Sequence, residues 1–248
     1  AADVQIDANG NVYIAGSYFE SATDSNNAIL QKYDSGGNLL WSQTYNGTGS
    51  RNDGVVRIEF NGSFVYCVGS TYTNNTDQYD FLCLKYDTSG NFQWTGVWDN
   101  AGLVDIAIRV KVKNNKVSVA GGSQINSLNY KYAVVNFDVA NGAVLNSHTS
   151  GGNQTIAFDQ VTDMQVDAAG NIYITGGVMN TGQGYDFRTE MLDATLTSQW
   201  AVGYNGVANL NDMASALYID SLGNIIVTGY TTTSAQGKDY LTIKYNAS

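Results

Sequence analysis

Proline is absent from all 248 residues, histidine occurs once, at His148, and cysteine twice, at Cys67 and Cys83. Without proline no residue of the chain lacks the N–H that a strand ladder uses. Two cysteines and one histidine cannot complete a closed structural zinc site, which takes four such ligands. A hydrolase triad would depend wholly on His148. No apolar run approaches the roughly 20 residues of a membrane helix, and Ala1 opens no basic, apolar export pattern. The segment is therefore not expected to insert into a membrane, and any export signal or anchor is expected outside it. Lysine and arginine are scarce, 12 against 22 acidic residues, for a net charge of −10. That balance repels a phosphate backbone or an anionic bilayer, so no nucleic-acid partner is expected. Arg109, Lys111 and Lys113 alternate along one expected strand and read as a solvated strand face.

What is present is apolar enough to fold, since hydrophobic residues make up 43% of the chain and charged ones 14%. Its organisation is a sentence written five times. The opening copy reads Val4-Gln5-Ile6-Asp7-Ala8-Asn9-Gly10-Asn11-Val12-Tyr13-Ile14-Ala15-Gly16, and strong copies run from Met164 to Gly176 and from Leu217 to Gly229. Weaker ones pass through Phe60 and Val112. With Ile6, Phe60, Val112, Val166 and Ile219 equivalent, the steps are 54, 52, 54 and 53 residues. So regular a period marks a repeat architecture, hence one domain over 1–248 with repeats about 1–51, 52–102, 103–155, 156–209 and 210–248.

Each copy holds short alternating runs rich in Val, Ile, Tyr and Thr, separated by turn residues, which predicts an all-β chain. In the first copy the strands are expected near 2–6, 12–18, 27–33 and 38–45, here called a, b, c and d. Asn9-Gly10, Asn61-Gly62, Asn114-Asn115, Gly36-Gly37 and Ser89-Gly90 supply the positive φ of hairpin turns. Four antiparallel strands per repeat describe a β-propeller blade. The expected fold is a β-propeller of about five four-stranded antiparallel blades, closed into a ring because terminal blades would otherwise leave apolar faces in water.

These residues resemble the SBBP-type bacterial β-propeller repeat family. The likeness rests on the Asp-x-x-Gly-Asn-(Val/Ile)-Tyr-(Ile/Val)-x-Gly phrase, on Asp239-Tyr240-Leu241-Thr242-Ile243-Lys244-Tyr245, and on the run from Gly37 to Gly47 that contains Trp41. It is strong in copies one, four and five; copies two and three shorten the a–b turn, and copy three lacks the strand-d tryptophan. The resemblance implies a propeller found in large exported bacterial proteins, extracellular or on the cell surface, commonly without an assigned activity. Copy one starts inside strand a and copy five stops after strand c, at Tyr245-Asn246-Ala247-Ser248. This leaves either a segment of a longer polypeptide or one blade short of a strand.

Asp53, Asp105, Asp159 and Asp212 each lie seven residues before the equivalent apolar position of strand a. If strand a lines the axis, they ring one mouth of the channel, where clustered carboxylates attract a hard cation or polar ligand. The alternative, preferred because it recurs in every blade, is that each caps backbone N–H groups of the d–a connection. The longer b–c loops are expected near 18–26, 71–79, 123–129, 178–185 and 230–238. They carry Tyr18, Phe19, Tyr72, Tyr79, Tyr185 and Tyr230 among hydroxyl and amide residues, which suits a polar peptide or a carbohydrate. Solvated loops with tyrosines tucked against blade edges fit equally. Trp41, Trp94 and Trp200 share one place in strand d, with Trp98 nearby, and read more simply as wedges between blades than as a sugar platform. Cys67 and Cys83 stand opposite if residue 70 pairs with residue 80, although two reduced core thiols are the preferred reading. The chain carries no Gly-x-Ser-x-Gly, His-Glu-x-x-His or phosphate-loop motif, and its only glutamates are Glu20, Glu59 and Glu190.

Taken together, the residues point to a non-catalytic exported module, scaffold or binding domain, whose interaction surface is the b–c and d–a loop face. The partner is an unspecified protein or glycan, and no cofactor is expected. The alternatives are a glycosidase or lyase at the channel mouth, for which two carboxylates suffice, and a lectin with one sugar site per blade.

Overall fold

The computed structural model describes residues 1–21, 25–48, 51–73, 78–154, 156–180, 184–233 and 237–246. Parts of the expected b–c loops (22–24, 74–77, 181–183, 234–236) and the last two residues lie outside the described residues. The described chain is all strand and turn. Sheet 1 runs β1 (Asp3–Ile6), β2 (Val12–Ser21), β3 (Ser25–Tyr33), β4 (Leu39–Tyr45), and sheet 2 runs β5 (Gly54–Asn61), β6 (Phe64–Thr71), β7 (Asp80–Asp87), β8 (Phe92–Trp98). Sheet 3 comprises β9 (Asp105–Lys113), β10 (Lys116–Asn126), β11 (Asn129–Asp138) and β12 (Val144–Ser150), with β13 (Ala157–Phe158) added parallel to β11. Sheet 4 holds β14 (Gln160–Val166), β15 (Ile172–Met179), β16 (Tyr185–Leu192) and β17 (Ser198–Tyr204). Among the described residues sheet 5 comprises three strands, β18 (Met213–Ile219), β19 (Ile225–Thr233) and β20 (Gly237–Tyr245).

The chain divides into two compact units, residues 1–119 with 136–145, and 120–135 with 146–248. In the first, Tyr13, Leu30, Val55, Ile58, Val65, Leu82, Leu84 and Tyr86 form a buried cluster. In the second, Val134, Val161, Met164, Ile172, Ile174 and Leu192 form one core, and Phe187, Leu217, Ile225 and Val227 another. β7 is buried at every position but its last, as a central strand covered on both faces must be.

The turns follow from the sequence phrase. Asp7 Oδ1 accepts the N–H groups of Asn9 and Asn11, both at 2.9 Å, while Gly10 takes φ 80°. Asp167 and Asp220 accept the N–H of Asn171 and Asn224 in the same way. The device also closes the c–d turns, where Asp34, Asp87 and Asp193 receive Asn38, Asn91 and Thr197. In the shortened a–b turn of sheet 3, Asn114 and Asn115 both adopt positive φ, 49° and 59°, as a two-residue type I′ turn requires. The glycine that ends the phrase has a separate role. Strand a bulges opposite it, between Val55 and Arg57, Val161 and Asp163, and Ala214 and Ala216. A Cβ on Gly69, Gly176 or Gly229 would lie 1.9, 1.8 or 2.0 Å from the carbonyl oxygen of Gly54, Gln160 or Met213.

The strand-d tryptophans join neighbouring sheets. Trp41 donates its indole N–H to the Thr88 carbonyl (3.3 Å), and Trp94 to that of Val139 (3.1 Å), each in the next sheet's c–d turn. A Cβ on Gly90 would approach Trp41 to 2.9 Å, and one on Gly142 would approach Trp94 to 2.6 Å, so both turns need glycine for the indole as well as for φ 90° and 74°. Sheet 3 has Asn146 in place of the tryptophan, and its amide donates to Thr195 O at 3.0 Å. The turn it meets carries Leu196, buried at positive φ, where the others have glycine.

Two expectations need correction. Strands b and c are longer than the sequence suggested, so the connection expected over 123–129 reduces to Ser127-Leu128 between β10 and β11. Val68, not Cys67, pairs with Cys83, because Ser70 faces Phe81 rather than residue 80. Alternate residues of a strand point to opposite faces, so the two thiols lie on opposite sides of the sheet, both free and buried.

Candidate functional site

The four recurrent aspartates are buried, with exposures of 2% for Asp53, 0% for Asp105, 2% for Asp159 and 0% for Asp212. Each donates its own N–H to the carbonyl at the start of a strand c: Asn26 (2.7 Å), Tyr79 (2.6 Å), Tyr130 (3.2 Å) and Tyr185 (2.6 Å). Each Oδ2 accepts the N–H of a residue just past strand d, from Gly47, Asn100, Gly152 and Gly206 at 2.6, 2.6, 2.8 and 2.6 Å. Oδ1 of Asp53, Asp159 and Asp212 also takes the N–H of Tyr72, Met179 and Thr232 at the end of the next strand b. One aspartate, through its own N–H and its carboxylate, thus holds three backbone segments at Asp53, Asp159 and Asp212, and the first two of these bonds recur at Asp105. Asp53 also lines a cavity of about 340 Å³ with Ser17, Asn26, Asn52 and Tyr79.

The side chains facing these corners differ. The residue after each anchoring carbonyl is Asn27, Asp80, Lys131 or Asp186, all at or near full burial apart from Lys131. In the second corner the carboxylates of Asp80, Asp99 and Asp105 place ligand oxygens within 4.8 Å of one another, the spacing of a metal-binding group. Burial first, and then the neighbouring Asp99 charge, push the Asp80 carboxyl above its ordinary range despite a hydrogen bond from Thr73. In the third corner the Lys131 ammonium reaches Asp159 Oδ2 at 3.2 Å and also donates to Gly152 O. In the fourth, Asp186 is 3% exposed; burial and then the Asp212 charge raise its carboxyl too.

The tyrosines singled out in the sequence are half-buried and dispersed. Tyr72 lies 4.3 Å from Tyr79, ring to ring, with the Arg51 guanidinium 5.9 Å away. Tyr18 donates to Glu20 at 3.2 Å, and the Lys238 ammonium sits 3.9 Å over the Tyr230 ring. Tyr185 donates to the Phe158 carbonyl at 3.0 Å. That last contact belongs to a feature that the repeat did not reveal. β13 brings Phe158 onto Tyr130 in a stacked pair, centroids 5.1 Å apart and planes 22° apart. Around it Ile125, Leu128, Ile156 and Phe158 are 42%, 52%, 58% and 52% exposed.

The sequence reading also missed a polar cluster in the second unit. Glu190, 1% exposed, accepts hydrogen bonds from His148 Nε2 (3.3 Å), Ser150, Ser198 (2.7 Å) and Arg188 (3.1 Å). Burial opposes its charge, but the His148, Ser150 and Ser198 bonds and the Arg188 cation outweigh it and hold the carboxyl down at about 2. Both serines bond to the carboxylate and not to the imidazole, so the group lacks the hydroxyl–imidazole–carboxylate order of a nucleophilic triad. The signal was present: Arg188 and Glu190 occupy strand-c places where sheet 2 has Leu82 and Leu84.

No family model matches the chain, and no curated protein matches it. Among solved structures, it is similar to a point mutant of NanB sialidase from Streptococcus pneumoniae (TM-score 0.50, 11% identity), covering 90% of this chain and 36% of that one. Quinohemoprotein alcohol dehydrogenase from Comamonas testosteroni gives a TM-score of 0.48 at 14% identity over 96% of this chain and 42% of that one. A subtype N10 neuraminidase-like protein of little yellow-shouldered bat origin gives 0.49 at 9% over 95% and 76%. The chain spans well under half the length of the first two. At such identity the likeness speaks for fold alone, and with the five antiparallel sheets it makes the chain a β-propeller of four-stranded blades.

Proposed function

We propose that the chain is an exported or cell-surface propeller module, of the kind implied by its resemblance to the SBBP-type repeat, that binds or scaffolds without catalysing. Its interaction surface is the end of the sheets carrying the b–c and d–a connections. One observation carries this reading: β13 breaks the repeat at that end and presents a stacked Tyr130–Phe158 pair among exposed Ile125, Leu128 and Ile156. Aromatic and aliphatic groups clustered in the open favour a protein partner, since a contiguous apolar patch is retained where something covers it. The recurrent aspartates support the same reading from the other side, because their carboxylates serve the backbone.

The test is an Ile156→Ser/Phe158→Ser double variant compared with the parent chain by cross-linking and mass spectrometry in culture supernatant of the source organism. Proteins that cross-link to the parent through this patch and are lost from the variant, at unchanged Tm, support the proposal. Turnover of a polysaccharide that survives the double substitution overturns it.

A further inference from the structure

The four corners share one backbone and differ in charge. In the first, the residue after the anchoring carbonyl is Asn27, whose amide goes to Glu20; in the third it is Lys131, whose ammonium meets the recurrent aspartate and supplies a cation from the chain itself. The second gathers three carboxylates, Asp80, Asp99 and Asp105. The fourth sets Asp186 beside the charge of Asp212, with Asn205 at the place of Asp99 one residue past strand d and its amide N–H given to Asn209. There, Asp186 Oδ1 and Asn205 Oδ1 are both buried acceptors that receive no hydrogen bond from the described residues, although Asn180 serves the other Asp186 oxygen at 2.9 Å. A buried carboxylate oxygen without a donor costs on the order of 1–3 kcal/mol unless something positive meets it.

We propose that the second and fourth corners each bind one hard divalent cation, calcium by chemistry, at Asp80, Asp99 and Asp105 and at Asp186, Asn205 and Asp212. The donor set is all oxygen, from carboxylates and one amide carbonyl, which calcium accepts in irregular geometry and magnesium does not. Asp105 Oδ2 takes one N–H from Asn100, Asp99 Oδ1 takes one from Gly102 and Asp80 Oδ2 takes the Thr73 hydroxyl, and a carboxylate oxygen has two lone pairs. Lys131 shows what the corner accommodates, since its ammonium sits against Asp159 from the strand-c place that Asp80 and Asp186 fill in the other two corners. Three protein oxygens with water completing the shell place the affinity at about 10⁻⁴–10⁻³ M, the range of extracellular modules.

Titration of the chelator-treated chain with calcium chloride, by calorimetry and by thermal melting at constant ionic strength, tests this. Calcium at 10 mM should raise Tm by about 6–20 °C with both corners filled, with magnesium giving less than half that rise. Asp80→Asn and Asp186→Asn should each remove part of the response, and Asp80→Lys, which copies the third corner, should hold Tm without calcium while losing that corner's share. No heat and no Tm change in the parent chain overturns the proposal, as does an equal shift with magnesium or an undiminished response in the Asp80→Asn/Asp186→Asn variant. If the variants do not fold, the parent titration decides alone.

Discussion

The two ends of each sheet are built to different rules. At the tight-turn end a side chain satisfies its own backbone: Asp7, Asp34, Asp87, Asp167 and Asp220 fold their turns by the same hydrogen bonds. Where that end varies, it varies in matched pairs, as Trp94 with Gly142 gives way to Asn146 with Leu196. At the loop end the constant elements are the aspartate, its N–H bond to strand c and its Oδ2 bond past strand d, and the residue after the anchoring carbonyl runs from amide to acid to lysine. A hydrogen bond to backbone fixes a residue type wherever the chain repeats, whereas a corner already stitched by backbone bonds leaves its lining open to change.

The largest expected effect breaks the constant element of the loop end. Asp53→Ala leaves the N–H groups of Gly47 and Tyr72 unsatisfied in a buried place and should cost about 3–5 kcal/mol, read by urea unfolding. Next is the Glu190 cluster, whose charged hydrogen bonds make Glu190→Gln worth roughly 2–4 kcal/mol of destabilisation. Its folded carboxyl is held at about 2, below its ordinary 4.5, so the stabilisation is complete above about pH 5 and is lost as pH falls toward 2. Parent and variant unfolding curves should therefore converge in acid; a gap that persists at pH 2 would remove the charge from the explanation. The smallest of the three sharpens the tight-turn end. Gly90→Ala should cost about 1–3 kcal/mol through its φ of 90° and its approach to Trp41. In a Trp41→Asn background, which imitates Asn146, the cost should fall by about half; strict additivity in that double-mutant cycle would mean that the glycine answers to φ alone.

Much of the fold was legible because the 53-residue rhythm, the turn phrase and the alternation of apolar residues all agree. The strand-d tryptophans were readable as wedges for the same reason, since recurrence at one place is a packing signature. The pairing of Cys67 and Cys83 was not readable. A single-residue slip reverses every side chain, and the register of β6 on β7 is set by a long connection whose geometry the sequence does not dictate. β13 was hidden for another reason, since two residues carry no period. Lys131 and Asp159 lie 28 positions apart, and their ion pair exists because the d–a connection folds back on strand c, a tertiary fact with no local trace.

The indole of Trp41 seats in the turn of the next sheet, and so does that of Trp94. The self-contained cassette is therefore out of phase with the sheet: it begins at one strand d and ends with the following c–d hairpin, keeping each tryptophan with its own glycine. Blades exchanged or duplicated at the sheet boundary would carry a knob away from its socket, while those cut one strand earlier would travel with both.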